Sequence, residues 1–434
     1  MILSITVQNF RSIREQQTLN LVRTGLKGHD NNVAEFTGLK LLRTCAIYGS
    51  NASGKSNFLK AAKALEYLVL YSSNYKPGDT IEAYEPFRLS NDTKTAPVSI
   101  EMEFIAPDNI RYSYSISFSS ERIEHESLYY NPKGQWAKLF VRDAVKSVSY
   151  GETYRGERKG IEKKLNDNQL FLSKAVLDNV ESAQSAYMFF KKKLNVYPFI
   201  TDYHESHLSN LYAQRLAENN NSSFSRKFNK LICALDTGIY SVKSENRDWS
   251  KTRLPSSMPD DIKKQLQEEY KYNIKTVHKS ADRISEDNTV LFDISDESVG
   301  TQSLFVLGGI VLDVLNDGNV LIVDEFEKNL HPHITRFLIQ LFHNPQVNKK
   351  NAQLILATHD VAQLDEEIFR RDQIWLTERN EFGASSLTRC SDIKGLRLGT
   401  PLNKWYYSGR LGGTPIINEL DLLLEFEQDD QQAI

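Results

Sequence analysis

The octapeptide Gly49-Ser50-Asn51-Ala52-Ser53-Gly54-Lys55-Ser56 fits the pattern G-x-x-x-x-G-K-[ST], and its flanks narrow the fold. Before it, Leu41 to Tyr48 reads as a buried strand. After it, Asn57 to Leu70 carries apolar residues at helical spacing (Phe58, Leu59, Ala62, Leu65, Leu68, Val69). A strand, a Gly-rich turn and a helix in that order form the opening unit of an α/β sheet. The glycines let backbone N–H groups curl around phosphate oxygens without a Cβ in the way. Lys55 reaches terminal phosphates, Ser56 offers a hydroxyl to Mg²⁺, and the helix adds its positive N-terminal end. A chance Gly-rich turn is the plainer reading, and the strand and helix on either side argue against it.

Three further segments carry chemistry that suits such a loop. Asn319-Val-Leu-Ile-Val-Asp324-Glu325 is an apolar strand ending in two adjacent carboxylates. Asp324 is the expected Mg²⁺ residue and Glu325 the group that orients an attacking water. Alone, this would be an ordinary strand ending in a charged loop; beside a P-loop it is a catalytic pair. Gln353-Leu-Ile-Leu-Ala-Thr358-His359 is a second buried run, and His359 at its end is placed to reach a γ-phosphate or the water. Ser298-Val299-Gly300 precedes the apolar helix Leu304–Leu315. Its plain reading is a helix N-cap; its functional reading is an anion-binding helix start.

Elsewhere the chain exposes other patterns. Met1 to Val7 alternates as an opening strand ending at Asn9-Phe10-Arg11-Ser12, and Val98 to about Tyr150 alternates with turns between, an antiparallel meander. Helical stretches are expected near Gln169–Lys193, His204–Ala217, Phe224–Leu235 and Asp260–Tyr272, with a loop over Asn246–Pro259. The expected division is 1–150 as a first lobe with the P-loop, 151–285 as a helical insertion, and 286–434 as a second lobe. The fold class is therefore α/β, a P-loop NTPase with an antiparallel β subdomain and a helical insertion.

Composition excludes several classes. With 40% hydrophobic and 25% charged residues, the 434-residue chain is neither disordered nor collagen-like. A net charge of −3 argues against a wholly basic nucleic-acid binder. Three scattered cysteines form neither a disulfide framework nor a Cys-rich zinc site, and fit a reducing cytoplasm. The apolar run Leu304–Leu315 contains Asp313 and is too short to span a bilayer, so no membrane partner is expected.

Taken in order, the P-loop, Ser298-Val-Gly300, Asp324-Glu325 and Thr358-His359 resemble an ABC-type ATPase head. The opening Val7-Gln-Asn-Phe10-Arg11-Ser12 resembles the recombination and chromosome-maintenance branch and the overcoming-lysogenization-defect (OLD) ATPases. Glu327-Lys-Asn-Leu330-His331-Pro332 resembles the loop after the catalytic Glu in that branch. Tyr406-Tyr-Ser-Gly409-Arg410-Leu-Gly412-Gly413-Thr-Pro415 is similar to the closing segment of stand-alone AAA15/AAA21 ATPases, which commonly occur in PARIS-type and abortive-infection anti-phage operons.

The resemblance implies ATP and Mg²⁺ as ligands. It implies a homodimer or higher homo-oligomer in which Lys55, Ser56, Asp324, Glu325 and His359 act in cis. Ser298 and Gly300 would contact the partner chain's nucleotide, and Arg11 would also touch nucleotide. Two departures stand out. The Gln that ABC heads use to sense Mg²⁺ and γ-phosphate is missing between Gln17 and Gln135, and the signature reads Glu-Ser-Val-Gly-Thr instead of Leu-Ser-Gly-Gly-Gln.

The function expected is an ATPase that dimerises around ATP and controls an effector, a Toprim-type nuclease acting in trans, in response to a phage-derived trigger. The 75 residues after His359 (434 − 359) are few for an attached nuclease domain, and the tail acids Glu425, Glu427, Asp429 and Asp430 lack strand context. The alternative is a DNA-repair or chromosome-maintenance ATPase that binds DNA directly through Lys191-Lys192-Lys193 and Arg226-Lys227. Net acidity and the lack of long heptad runs disfavour it. A transporter subunit is disfavoured by the missing Gln, and a purely structural nucleotide by the presence of Glu325 and His359.

Overall fold

The computed structural model describes residues 1–414 except 37, 144–146, 199, 201, 219–221, 236, 252–253, 282–287 and 398. Pro415 and the tail acids named above lie outside the described residues. In chain order, β1 (Ile2–Gln8), β2 (Gln17–Asn20), β3 (Val33–Phe36), β4 (Leu39–Leu42) and β5 (Thr44–Gly49) lead into α1 (Lys55–Tyr71). Then come β6 (Val98–Ile105), β7 (Arg111–Phe118), β8 (Ile123–Asn131), β9 (Ala137–Asp143) and β10 (Ser147–Tyr150). Three short helices, α2 (Lys159–Lys164), α3 (Phe171–Leu177) and α4 (Glu181–Met188), precede β11 (Leu194–Tyr197). After α5 (Asp202–Glu218) and α6 (Ser223–Ala234) come β12 (Ser241–Asn246), α7 (Asp260–Glu269), β13 (Tyr272–Lys279) and β14 (Thr289–Asp293). The rest is α8 (Val299–Asp317), β15 (Val320–Asp324), α9 (Pro332–His343), β16 (Gln353–Ala357), β17 (Ile374–Arg379), β18 (Ser385–Arg389) and α10 (Leu402–Tyr407).

Two large sheets organise these elements. One is wholly antiparallel, in the order β10-β9-β8-β7-β6-β1-β2, and contains the expected meander. Along β6 the residues Val98, Ile100, Met102 and Phe104 are all fully buried, as period-two alternation requires. The other runs β11-β15-β16-β5-β17-β18, parallel throughout except for β18. Successive residues of its central strands enter different cores. Cys45 and Ile47 pack with α1 and the antiparallel sheet, whereas Ala46 and Tyr48 pack with α8, α9 and α10. A strand covered on both faces has no polar side to show, so β5, β15 and β16 read as continuous apolar runs.

The segment 151–285 departs from a helical insertion. It carries α2 to α7, yet Leu194–Tyr197 is a strand of the core sheet, paired in parallel with β15 from Leu194↔Val320 to Tyr197↔Val323. β12 and β13 form a separate antiparallel sheet with β14. Four residues are too few for a periodic signal, and the partner strand lies far along the chain. The helix expected over 169–193 is also interrupted: Asn179 turns left-handed (φ 58°) between α3 and α4. The strand expected over 41–48 breaks at Arg43, between β4 and β5.

By length and composition, α8 is apolar enough to cross a membrane. Here it is a core helix. Leu304 to Val311 and Val314–Leu315 are buried, and Gly309 sits so close to the Tyr212 ring that a Cβ there would collide with it.

Candidate nucleotide site

Strand order decides where the functional groups meet. β15, β16, β5 and β17 lie side by side and point the same way, so the segments leaving their C-terminal ends line one edge of the sheet. Those segments carry, respectively, Asp324-Glu325, Thr358-His359, the P-loop and Arg379. Four stretches dispersed over more than 300 residues thereby share one cleft.

The P-loop needs its unusual backbone. Gly54 has φ 110° and Ala52 φ 62°, both in the left-handed region. A Cβ on Gly54 would lie 2.8 Å from the Ser12 hydroxyl, so only glycine fits. α1 then opens with no side-chain cap, and although the Asn57 N–H donates to Gly54 O (3.0 Å), the helix start is fit to receive an anion. The Lys55 ammonium is nearly buried and donates to the carbonyls of Gly49 (2.8 Å) and Ser50 (3.0 Å). Burial lowers its pKa to about 8, against the opposing pull of Asp324, Glu327 and Glu325.

The Ser56 hydroxyl donates to the Asp324 carboxylate, which also accepts the Glu325 N–H at 3.1 Å. Burial raises the Asp324 pKa in spite of those bonds. Glu325 is exposed and left-handed (φ 49°), a strained conformation for a residue with a Cβ, and it turns the chain sharply after β15. Glu327, on the turn that follows, accepts the His359 N–H at 2.6 Å, tying the carboxylate loop to the end of β16. Partial burial and the Lys55 charge lower the pKa of His359, so its ring is neutral at pH 7.

The cleft has a volume of about 830 Å³. Lys55, Ser56, Glu325 and His359 line it, together with Arg11, Lys60 and Arg379. Asn51, Ala52 and Gly54 line it, whereas Gly49, Ser50 and Ser53 lie beneath as the support of the loop. Ser298 and Gly300 are not among the residues lining it. Ser298 is exposed and caps α8 by accepting the Thr301 N–H (3.2 Å). No Gln occurs among the described lining residues, in keeping with the missing sensor Gln.

Several supporting residues carry no local signal. Ser53 and Thr377 share a hydroxyl hydrogen bond of 2.6 Å, and Thr377 donates to Tyr48 O at 3.1 Å. Ser385 donates to Ser53 O (2.6 Å) and lies 2.7 Å from the Ser12 hydroxyl, which accepts from Asn57 at 2.6 Å. The closing segment folds back onto the same place. Tyr406 donates to Gly413 O (2.9 Å) and meets the Tyr48 ring edge-on at 6.3 Å, and the Gly413 N–H donates to Glu378 at 2.9 Å. An arginine–carboxylate pair, Arg11 with Glu85, completes the wall through bonds of 2.7 and 2.6 Å.

A P-loop, a carboxylate pair two strands away, a histidine on the strand between, and a fused antiparallel sheet define a P-loop ATPase of the ABC head type. The family described as "AAA domain, putative AbiEii toxin, Type IV TA system" matches residues 45–365, most of the chain, and the chain belongs to it. No curated protein matches the sequence significantly. Among solved structures, the chain is similar to the SMC head domain from Thermotoga maritima, with 14% identity, a TM-score of 0.39, and 89% of this chain and 98% of that one covered. It is also similar to the recombination mediator protein RecF of the RecFOR pathway bound to ATP, with 12% identity, a TM-score of 0.35, and 89% and 97% covered.

Proposed function

We propose that the protein binds and hydrolyses ATP and uses the cycle to assemble and release a dimer that controls a partner effector. The observation that carries this reading is the convergence of Lys55, Ser56, Asp324, Glu325 and His359 on the edge of one sheet. The uncapped helix start, the loop held open by Gly54 and the hydroxyl–carboxylate pair fit a triphosphate with its Mg²⁺. Ser56 and Asp324 would hold the ion, which supplies charge neutralisation to the β- and γ-phosphates.

The chain's own groups do the rest. Lys55 binds the phosphate chain. Glu325, exposed just past β15 and in no ion pair among the described residues, orients the attacking water as a base. Neutral His359 donates or accepts one hydrogen bond at the γ-phosphate end. Positioning and electrostatics, not covalent chemistry, supply the acceleration. Ser298, exposed, and Gly300, half-buried, neither of them lining their own cleft, serve the nucleotide of a second copy.

We place this cycle in the cytoplasm, in bacterial anti-phage defence, with a Toprim-type nuclease as the effector and a phage-derived protein as the trigger. Family membership supports that setting, because the family's description joins the ATPase domain to a toxin–antitoxin system. The rival reading, a DNA-repair or chromosome-maintenance ATPase, expects salt-sensitive DNA binding by the isolated chain.

The test is solution mass by light scattering on Glu325→Gln, with and without MgATP. A dimer that appears or tightens with MgATP, and is abolished by adding Ser298→Arg, supports the composite site. Mass indifferent to ATP, together with unchanged hydrolysis in Ser298→Arg, overturns it.

A further inference from the structure

Arg11 is held twice by one residue. Its backbone N–H donates to Glu85 O at 2.7 Å, and its Nε and Nη2 donate to the two Glu85 carboxylate oxygens at 2.7 and 2.6 Å. The backbone of Arg11 is itself left-handed, at φ 52°. Both side chains are about one-third exposed, and both face the cleft that holds the P-loop. The fork uses only the Nε–Nη2 edge. The Nη1 edge makes no hydrogen bond among the described residues.

The position of this pair follows from topology. β15 and β16 bring Glu325 and His359 to one side of the P-loop, while β17 brings Arg379 to the other. The turn carrying Arg11 is fastened to that second side: Asn57, on the first turn of α1, donates to Ser12 at 2.6 Å, and the Ser385 N–H donates to Ser12 O at 2.7 Å. Arg11 therefore stands at the end of the cleft away from the γ-phosphate groups.

A carboxylate in a site for a polyanion is at first sight unfavourable. Glu85 adds negative charge where Arg11, Lys60, Arg88 and Arg379 otherwise make the wall cationic. Simple electrostatics says that removing it should strengthen nucleotide binding. A bidentate arginine–carboxylate pair also fixes the plane of the guanidinium, as a lysine or a single hydrogen bond cannot. We propose that Glu85 is a positioning residue that holds the free Nη1 edge of Arg11 toward the ribose and α-phosphate of a bound nucleoside triphosphate. This inference rests on the nucleotide-site reading above, and it opposes the electrostatic expectation in sign.

The test measures equilibrium binding of ATP and ADP to the full chain by calorimetry, for Glu85→Gln, Glu85→Ala, Arg11→Ala, Arg11→Lys and Glu85→Ala with Arg11→Ala. Variants are compared after their unfolding midpoints are matched to wild type. Positioning expects Glu85→Gln and Glu85→Ala to weaken ATP and ADP alike, by roughly 10-fold. It expects Arg11→Lys to behave like Arg11→Ala, and the double variant to be no weaker than Arg11→Ala. Tighter or unchanged binding in Glu85→Gln overturns the proposal, as does a loss confined to ATP. Lys55→Ala separates the two layers: if it binds ATP like wild type, the nucleotide-site reading itself fails; if it abolishes binding, the Glu85 result stands on its own.

Discussion

The hydroxyls of Ser53 and Thr377 lie 2.6 Å apart in a fully buried position, joining the P-loop to the strand beside it. Thr377 uses its proton on Tyr48 O, so the Ser53 hydroxyl donates to Thr377 Oγ1. The P-loop is thus braced from β17, a segment that contributes nothing to its sequence pattern.

Thr377→Val keeps the shape and deletes the hydroxyl. The buried Ser53 hydroxyl loses its partner, and the Tyr48 carbonyl loses its side-chain bond while keeping its place in the β5–β17 ladder. The expected cost is about 1–3 kcal/mol, read by urea denaturation, and nucleotide affinity should fall because the loop is less well held. Thr377→Ser should restore both.

Lys55 sets a pH limit on nucleotide binding. Its pKa of about 8 in the protein lies below the usual lysine value, so above pH 8 the ammonium is progressively lost. Affinity for ATP should therefore decline as pH rises from 8 to 9.5, when Asp and Glu do not titrate. Stability moves the other way. The unfolded chain keeps this proton up to about 10.5, so between pH 8 and 10.5 wild type should gain stability relative to Lys55→Met. Titration calorimetry and denaturant midpoints across that window check the two signs.

His343 should make the protein acid-labile. It is buried against Thr44, 2.7 Å from its hydroxyl, and burial lowers its pKa to about 3. The unfolded chain takes up the proton first, near pH 6.5, so the stabilising neutral form loses ground as pH falls from 6.5 toward 3. At pH 5 the loss is about 2 kcal/mol from this group alone. His343→Gln, which retains a hydrogen-bonding side chain without the titration, should show a flatter stability profile between pH 7 and pH 5.

Gly300 cannot carry a side chain without moving the loop after β15. A Cβ there would lie 2.6 Å from the carbonyl oxygen of Asn329. Gly300→Ala should destabilise by about 1–3 kcal/mol and shift the start of α8 or the Glu327–Leu330 turn. In the Glu325→Gln background it should also weaken MgATP-driven dimerisation, measured by light scattering.

The residues that converge on the candidate nucleotide site were legible because their pattern is written in contiguous residues. A P-loop must place glycines, a lysine and a hydroxyl within eight positions of one turn, while Asp324-Glu325 and Thr358-His359 stand at the ends of the apolar runs Val320–Val323 and Leu354–Ala357. Buried parallel strands and long amphipathic helices such as α1 are equally local signals, so the α/β class and the antiparallel meander followed from periodicity. Tertiary structure alone decided the order β11-β15-β16-β5-β17, which sets the carboxylates at one end of the cleft and Arg379 at the other. It also decided that Leu194–Tyr197 is a core strand and that Ser12, Glu85, Thr377 and Ser385 brace the site. Ser12 and Ser385 are 373 positions apart, and Ser53 and Thr377 are 324 apart. Such pairs leave no spacing in the sequence, because each depends on a hydrogen bond that exists only once two distant strands have been laid side by side.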